Sequence, residues 1–251
     1  MKILIPTLSW SPYGAIVIAS VMLGFAVVIL FLKRFGVSRQ TILYTCLLSA
    51  VMTITSSVMF TILQSGSIKT IGFSGLGAVI GMIGGVFISG LIIRDKPECV
   101  MASFVATAPL MYGLAKFGCL FAGCCHGKPY DGPFAIVYSG ADGGSYFPAQ
   151  IIDMLIFILL FVVGAVLITR MRNKILAIYI ILLVLTPVRF LLEYLRSYHE
   201  GTLISSGQVT VLCAGLCALI LVTVWKGVLR IGKQHGTDAA GGINGDGKPQ
   251  D

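Results

Sequence analysis

The stretch Tyr13-Gly-Ala-Ile-Val-Ile-Ala-Ser-Val-Met-Leu-Gly-Phe-Ala-Val-Val-Ile-Leu-Phe-Leu-Lys-Arg34 decides the fold class. From Tyr13 to Leu32 it holds no charged side chain. At about 1.5 Å per residue, a helix of that length crosses the roughly 30 Å hydrocarbon core of a bilayer. Lys33 and Arg34 then stop the run with charges that lipid penalises. A helix satisfies its own backbone hydrogen bonds in lipid, and the apolar/polar alternation of a membrane barrel strand is absent. Read outward, the rest of the chain repeats the pattern: 57% of its 251 residues are hydrophobic, only 11% are charged, and the mean hydropathy is +0.95. Those values exclude an ordinary soluble domain and imply an all-α, polytopic membrane helix bundle.

Seven spans are predicted. After the first come about Thr41–Leu63, Phe73–Ile93, Cys99–Phe121, Ala149–Thr169, Ile175–Tyr194 and Gln208–Trp225. Thr53, Thr55, Ser56 and Ser57 in the second can return hydrogen bonds to their own helix. Glycines from Gly72 to Gly90 mark the third as a central helix, approached closely from several sides. The sixth is interrupted by Pro187 and carries Arg189 and Glu193 where hydrocarbon is expected. Between the fourth and fifth lies a loop, 123–148, whose Tyr130, Phe134, Tyr138, Tyr146 and Phe147 favour an ordered cap over a linker. Residues 1–233 thus form one transmembrane domain, and 234–251, rich in Gly, Asp and Asn, read as a disordered tail.

Loop charges set the orientation. One side collects Lys33, Arg34, Arg39, Arg94, Lys96, Arg170, Arg172, Lys174, Lys226, Arg230 and Lys233, and by the positive-inside rule it is cytoplasmic. The N-terminus and loop 123–148 then face outward, and the C-terminal tail faces the cytoplasm. The net charge of +8 is explained by membrane topology and the lipid surface, so nucleic acid is an unneeded partner. No cleavable signal peptide is expected, because the basic cluster follows the first apolar run instead of preceding it.

Chemistry concentrates where the fourth span meets the loop, in Lys116-Phe-Gly-Cys-Leu-Phe-Ala-Gly-Cys-Cys-His-Gly-Lys128. Thiols, an imidazole and lysines at a membrane edge are costly unless paired or used. Cys119, Cys124 and Cys125 could form a structural or redox-active disulfide on an oxidising face. Metal binding by these three with His126 is possible in ligand type, but adjacent Cys124 and Cys125 are expected not to reach one tetrahedral ion together, so no metal is assigned. Cys46, Cys213 and Cys217 read as ordinary buried thiols in mid-span. A second constellation is Arg189-Phe-Leu-Leu-Glu-Tyr-Leu-Arg196, whose offsets of four, three and seven put Arg189, Glu193 and Arg196 on one helical face. Two arginines to one carboxylate leave a positive excess suited to a phosphate; the alternative is a closed pairing that only ties helices together.

Taken with Phe147-Pro-Ala-Gln150 and Ser206-Gly-Gln208, these segments in this order resemble the prolipoprotein diacylglyceryl transferase family. The resemblance covers most of the chain from Gly72 to Gln208. It implies a seven-span enzyme of the bacterial plasma membrane, working without a cofactor. Such enzymes move the diacylglyceryl group of phosphatidylglycerol to the lipobox cysteine of a prolipoprotein and release glycerol phosphate. Tyr13-Gly14 resembles the family's Tyr-Gly near the first span, Gly75 falls in its His-Gly-Gly segment, and Gly118, Gly123 and Gly127 fall on the glycines of its Arg/Asn/Glu signature. Arg189, Glu193 and Arg196 match its Arg/Glu/Arg face, and Gln150 matches the glutamine of its His-Pro-x-Gln segment. The chain departs from the pattern where Lys116 stands for the signature arginine, Cys119 and Ala122 for its asparagines, Cys124 for its glutamate, Ser74 for a histidine, and Phe147 and Asp153 for the ends of the later segment. It is similar to a divergent, cysteine-rich branch, in which the fold and the lipid donor class transfer more readily than the acceptor.

The implied displacement at a glycerol carbon needs cations on the departing phosphate, a positioned nucleophile and a base. Lys116, Arg189 and Arg196 are the cation candidates, with Gly118, Gly123, Gly127 and Gln150 completing the lipid site. His126 and Glu193 are the candidate bases, and Tyr13 is a catalytic candidate through a head-group hydrogen bond or else an interfacial anchor. The alternatives are a membrane protein with a structural or redox-active external cysteine cluster, and a diacylglyceryl transferase with a different acceptor. A transporter lined by Arg189 and Glu193 is the third class, and the inverted repeats that would point to it are absent.

Overall fold

The computed structural model describes residues 2–5, 12–67, 74–138, 144–197 and 204–241. Among them seven helices follow in order: α1 Tyr13–Arg34, α2 Arg39–Ser65, α3 Gly75–Ile92, α4 Pro97–Ala122, α5 Ala149–Arg170, α6 Lys174–Leu192 and α7 Ser206–Gly241. Six are long and apolar enough to cross a membrane, whereas the third apolar stretch, Gly77–Ile92, is shorter. It starts late: the backbone N–H of Ser74 donates to the Ser57 carbonyl of α2, about two turns before that helix ends. Side chains around the bundle are apolar and outward-facing, among them Ile18 and Met22 on α1, Val51 on α2, Leu159 on α5 and Leu216 on α7. In water such a surface would drive association, so its natural solvent is lipid.

The helix at the centre is α4, not α3. Two thirds of its apolar window (67%) is buried, against 11% for α2 and for α7. It packs against α1, α5, α6 and α3, and brings Met101, Ala102, Phe104 and Ala106 into the core with Val28, Leu32, Ile168, Ile178 and Trp225. Most of the α3 glycines that are closely approached serve one neighbour: a Cβ on Gly81 would stand 2.1 Å from the Met52 carbonyl oxygen, and one on Gly85 2.6 Å from the Ser49 Cα, both on α2, while Gly90 lies against the Trp225 ring of α7. Glycine here lets two backbones touch along a single seam.

Several further expectations change. Pro187 does not interrupt α6, which continues to Leu192 and passes into a 3-10 turn, Glu193–Leu195. A lost N–H is tolerable in a packed membrane helix because a break would strand more backbone groups than the proline does. Thr53 bonds back to Ser49 as expected, but Ser57 donates across to the Ser74 carbonyl at 2.9 Å. Cys213 and Cys217 are exposed and Cys46 is half-buried, since they lie on or beside the lipid-facing side of their helices. The last helix runs eight residues beyond Lys233, into the segment expected to be a disordered tail, and 242–251 lie outside the described residues.

The two ends of the bundle differ in kind. At one end the short loops carrying Lys33–Arg39, Arg94–Lys96 and Arg170–Lys174 meet. The Lys96 ammonium donates to the carbonyls of Phe35 and Gly36 at 2.8 Å each, and that of Lys174 lies 4.8 Å from the Phe35 ring centroid. At the other end a small three-stranded sheet forms a lid: Ile3–Ile5 pairs in parallel with Ile136–Tyr138, which pairs antiparallel with Ser145–Tyr146. Ile5 and Ile136 pack on Leu120, so the sheet is seated on the last turn of α4. The aromatic loop is therefore ordered over its described residues, as its composition suggested.

Candidate functional site

Three elements converge under the lid. From α4 comes Lys116, buried, with its ammonium 4.8 Å from the Tyr112 ring centroid. From the second turn of α5 comes Asp153, fully buried and 3.9 Å from the Lys116 ammonium. From the end of α6 come Arg189, which pairs with Glu193, and Arg196, which pairs with Asp153 and donates to the Cys125 carbonyl at 2.8 Å. The Arg189 guanidinium also lies 5.7 Å from the Tyr112 ring, so one aromatic face serves two cations.

The single helical face expected for Arg189, Glu193 and Arg196 is corrected by the local backbone. The α-helix ends at Leu192, Glu193 opens a 3-10 turn, and Arg196 follows in extended conformation with φ −80° and ψ 147°. Instead of standing on one row, the two arginines approach from two directions, and each has a carboxylate. Lys116, Arg189 and Arg196 face Asp153 and Glu193, so the cluster keeps one positive charge in excess. Asp153 Oδ1 is buried without a hydrogen-bond partner among the described residues, and so is Gln150 Oε1. Two desolvated acceptors of this kind are costly unless a ligand donates to them.

The loop after α4 is folded against this cluster. Gly123 ends the helix in the left-handed region at φ 67°, its N–H donating to the Cys119 carbonyl, which is the usual glycine stop. Gly127 bridges to Arg196, and a Cβ there would lie 2.5 Å from the Phe147 carbonyl oxygen, so only glycine fits between the two strands of chain. Gly118 lies under Tyr13, whose ring Cδ2 is 3.2 Å from where a Cβ would stand. Gln150 donates to the Cys124 carbonyl at 2.9 Å and to the Tyr138 hydroxyl at 3.0 Å, tying α5 to the loop. His126 stacks at 4.2 Å on Tyr146, with Nδ1 3.2 Å from the Gly127 carbonyl oxygen, and so belongs to the lid rather than to the charged cluster.

All seven cysteines are free thiols in this structure, Cys119, Cys124 and Cys125, the candidates for a disulfide, among them. What the structure does instead is bring these three sulfurs within 4.8 Å of one another. The expectation that neighbouring Cys124 and Cys125 cannot converge is overturned by one residue: Cys125 sits at φ 58°, and the left-handed backbone turns successive side chains to the same side. Hydrogen bonds from the Cys119 and Cys124 thiols hold the Cys125 thiol well below its ordinary range, and Lys116 and Arg196 add to the effect against its burial.

Sequence reading thus named Lys116, Arg189, Glu193 and Arg196, which the fold brings together, with Gly118, Gly123, Gly127 and Gln150 around them. It missed Asp153 and Tyr112 as members. Asp153 was legible as a carboxylate inside an otherwise apolar span, a position lipid penalises unless it is paired. Among curated proteins, none matches the chain significantly. The profile of the family described as Prolipoprotein diacylglyceryl transferase matches residues 2–225, nearly the whole described bundle. The chain therefore belongs to the prolipoprotein diacylglyceryl transferase family.

Proposed function

We propose that this protein transfers the diacylglyceryl group of phosphatidylglycerol to an acceptor thiol, the lipobox cysteine of a prolipoprotein, and releases glycerol phosphate. The observation that carries the reading is the cluster of three cations against two carboxylates, buried at one end of a membrane bundle with one positive charge over. A phosphodiester brings one negative charge and takes on more as it leaves. Arg189, Arg196 and Lys116 are the groups to meet it. Lys116 acts as a point charge where a guanidinium would offer two prongs. Asp153 and Gln150, with their unpartnered oxygens, accept hydrogen bonds from the glycerol head group. Glu193 holds Arg189 in place and is the candidate base on that side; His126 borders the site from the lid, and Tyr13 over Gly118 is positioned for a head-group contact.

The reading puts the lid and the N-terminus outside a bacterial plasma membrane and the basic loops inside, following the positive-inside rule. After reduction in the presence of a metal chelator, a membrane-impermeant maleimide should then label at least one of Cys124 and Cys125 from outside intact cells, and labelling of an engineered cysteine in the C-terminal tail instead would reverse the orientation.

The decisive experiment incubates the purified protein with head-group-labelled phosphatidylglycerol, with and without a lipobox peptide. Labelled glycerol phosphate should appear with the peptide. Arg189→Ala should lower the rate by about 100- to 1,000-fold, equivalent to about 2.7–4 kcal/mol of barrier. That change also strands Glu193, so the double change Arg189→Ala with Glu193→Ala should be folded and inactive. Full turnover in folded Arg189→Ala would end the phosphate-clamp assignment.

A further inference from the structure

We propose that Cys119, Cys124 and Cys125 bind one zinc-class divalent cation through their three sulfurs and leave its fourth position open to a thiol from outside the chain. The ligand set comes first. Three sulfurs within 4.8 Å of one another need only a small contraction, because a tetrahedral site with Zn–S of about 2.3 Å holds them about 3.8 Å apart. They are delivered by unlike elements: Cys119 from the last turn of α4, Cys124 from just beyond its glycine stop, and Cys125 from a left-handed residue. A backbone in that region is unfavourable for a side chain such as cysteine, and here it is what turns the third sulfur toward the other two.

Coordination number comes second. Among the described residues no imidazole and no carboxylate joins the three sulfurs in one group. The nearest imidazole in sequence, His126, is engaged with Gly127 and Tyr146. Three protein ligands with one vacant position is the arrangement of zinc sites that bind and activate a substrate, whereas structural sites close all four. The vacant position has access, since Cys119 is buried while Cys124 is exposed at the surface.

Charge selects the class of ion. Three thiolates carry three negative charges, beside a cluster that Arg196 connects to Cys125 through its carbonyl. A divalent cation offsets two of them where a monovalent one offsets a single charge, so the sulfur set favours the divalent class. Soft sulfur ligands favour zinc over magnesium, calcium or manganese.

Use of the open position for a thiol rests on the transferase reading above. A thiol that coordinates zinc loses its proton to water. Its sulfur then attacks the glycerol carbon of the lipid, the C–S bond forms, and the C–O bond to the phosphate breaks with its electron pair leaving on the phosphate oxygen. The thioether product is a poorer ligand than the thiolate and departs. No oxidant or reductant is consumed.

The test uses the full chain, reduced and purified in detergent without chelator. Zinc titration should give one equivalent per chain, and Cys119→Ser, Cys124→Ser and Cys125→Ser should each weaken binding by at least tenfold, while Cys46→Ser should not. Cobalt substitution should give thiolate-to-metal charge transfer with tetrahedral d–d bands. A lipobox-type cysteine peptide should shift those bands, and its serine counterpart should not. On the unaltered protein, zinc should protect Cys124 and Cys125 from maleimide while leaving the labelling of Cys213 and Cys217 unchanged, which serves if a variant fails to fold. Metal content no higher than in the triple serine variant, absent protection, or a spectrum indifferent to the cysteine peptide would each overturn the proposal. Binding and a peptide-induced shift without glycerol phosphate release would sink the transferase reading and leave the metal site standing. Undiminished release from metal-free protein would overturn the ion's use in activating the thiol and leave the transferase reading standing.

Discussion

The two ends of this bundle use the same cations for opposite purposes. At the basic end, Lys96 donates to the Phe35 and Gly36 carbonyls, and Lys174 donates to those of Ile168 and Met171 at 2.6 and 2.8 Å. These are carbonyls at or just past helix C-termini, where the backbone offers acceptors without partners and the helix dipole is negative. Lys96 ties its loop to the end of α1 and Lys174 closes the end of α5 beside the Phe35 ring, so both join helix ends. At the lidded end, Lys116, Arg189 and Arg196 are drawn out of water and set against carboxylates instead of carbonyls. Ionised pairs in such surroundings cost desolvation that turn-closing lysines at the interface never meet. A fold that needed only to join its helices could do so as the basic end does. The buried cations therefore point to a charged ligand.

Asp153 offers the sharpest way to break this contrast. Asp153→Ala removes the partner of Arg196 and Lys116 at once and leaves two buried cations facing an empty place. The expected loss is about 3–5 kcal/mol of stability, read as a large fall in the thermal midpoint in detergent. Phosphatidylglycerol should recover part of it if its phosphate can stand in for the missing carboxylate. A midpoint within a degree or two of the unaltered protein would mean that the lidded cluster is as dispensable as a surface pair.

That carboxylate also shows where the sequence stopped speaking. All helices but the last were legible to within about two residues, Tyr13–Leu32 against α1 Tyr13–Arg34 and Ala149–Thr169 against α5 Ala149–Arg170, because lipid imposes one requirement on every span and charge ends it; α7 runs on past its basic residues to Gly241. The positions of Lys116, Arg189 and Arg196 were legible for the same reason, each being a charge that hydrocarbon penalises. Glu193 was legible with Arg189, but the partner of Lys116 and Arg196 was not. Asp153 meets Arg196 across 43 positions of sequence, and no local period encodes that pairing. The cap was expected but its sheet was not, because strands of three and two residues are too short to alternate, and Ile3–Ile5 is strand only by virtue of Ile136–Tyr138 beside it. The sulfur cluster was misjudged because spacing alone assumed an ordinary backbone, and Cys125 does not have one.

A smaller effect tests the other side of the comparison. Lys174→Ala should cost about 1–2 kcal/mol, the value of charge-assisted bonds to the carbonyls ending α5, with transferase activity unchanged at temperatures below the midpoint. Lys174→Arg should restore most of that loss, since any cation reaching the helix end can serve. Loss of activity in folded Lys174→Ala protein would mean that the two ends communicate and would blunt the distinction drawn between them.

The smallest effect belongs to Asp95, which joins the basic end to the start of α2. Its carboxylate accepts from the Ser38 backbone N–H at 2.8 Å and from the Thr41 hydroxyl at 3.1 Å. The Ser38 backbone bond is the main cause holding this carboxyl below the usual range, with the Ser38 and Thr41 side chains and Lys96 assisting against slight burial. A carboxyl depressed in the folded state favours folding above its ordinary pKa of 3.8, and that contribution is lost as pH falls through the lower folded value. Asp95→Asn should therefore lower stability at neutral pH by under about 1 kcal/mol, because the site is open to solvent and screened. The two proteins should converge as the pH falls through the lowered folded value, where Asp95 becomes protonated and carries no more charge than asparagine. Thermal midpoints measured in parallel from neutral pH downward decide it. A gap that widened on acidification would reverse the sign of the argument and show that Asp95 is destabilised, rather than sheltered, by the bonds that surround it.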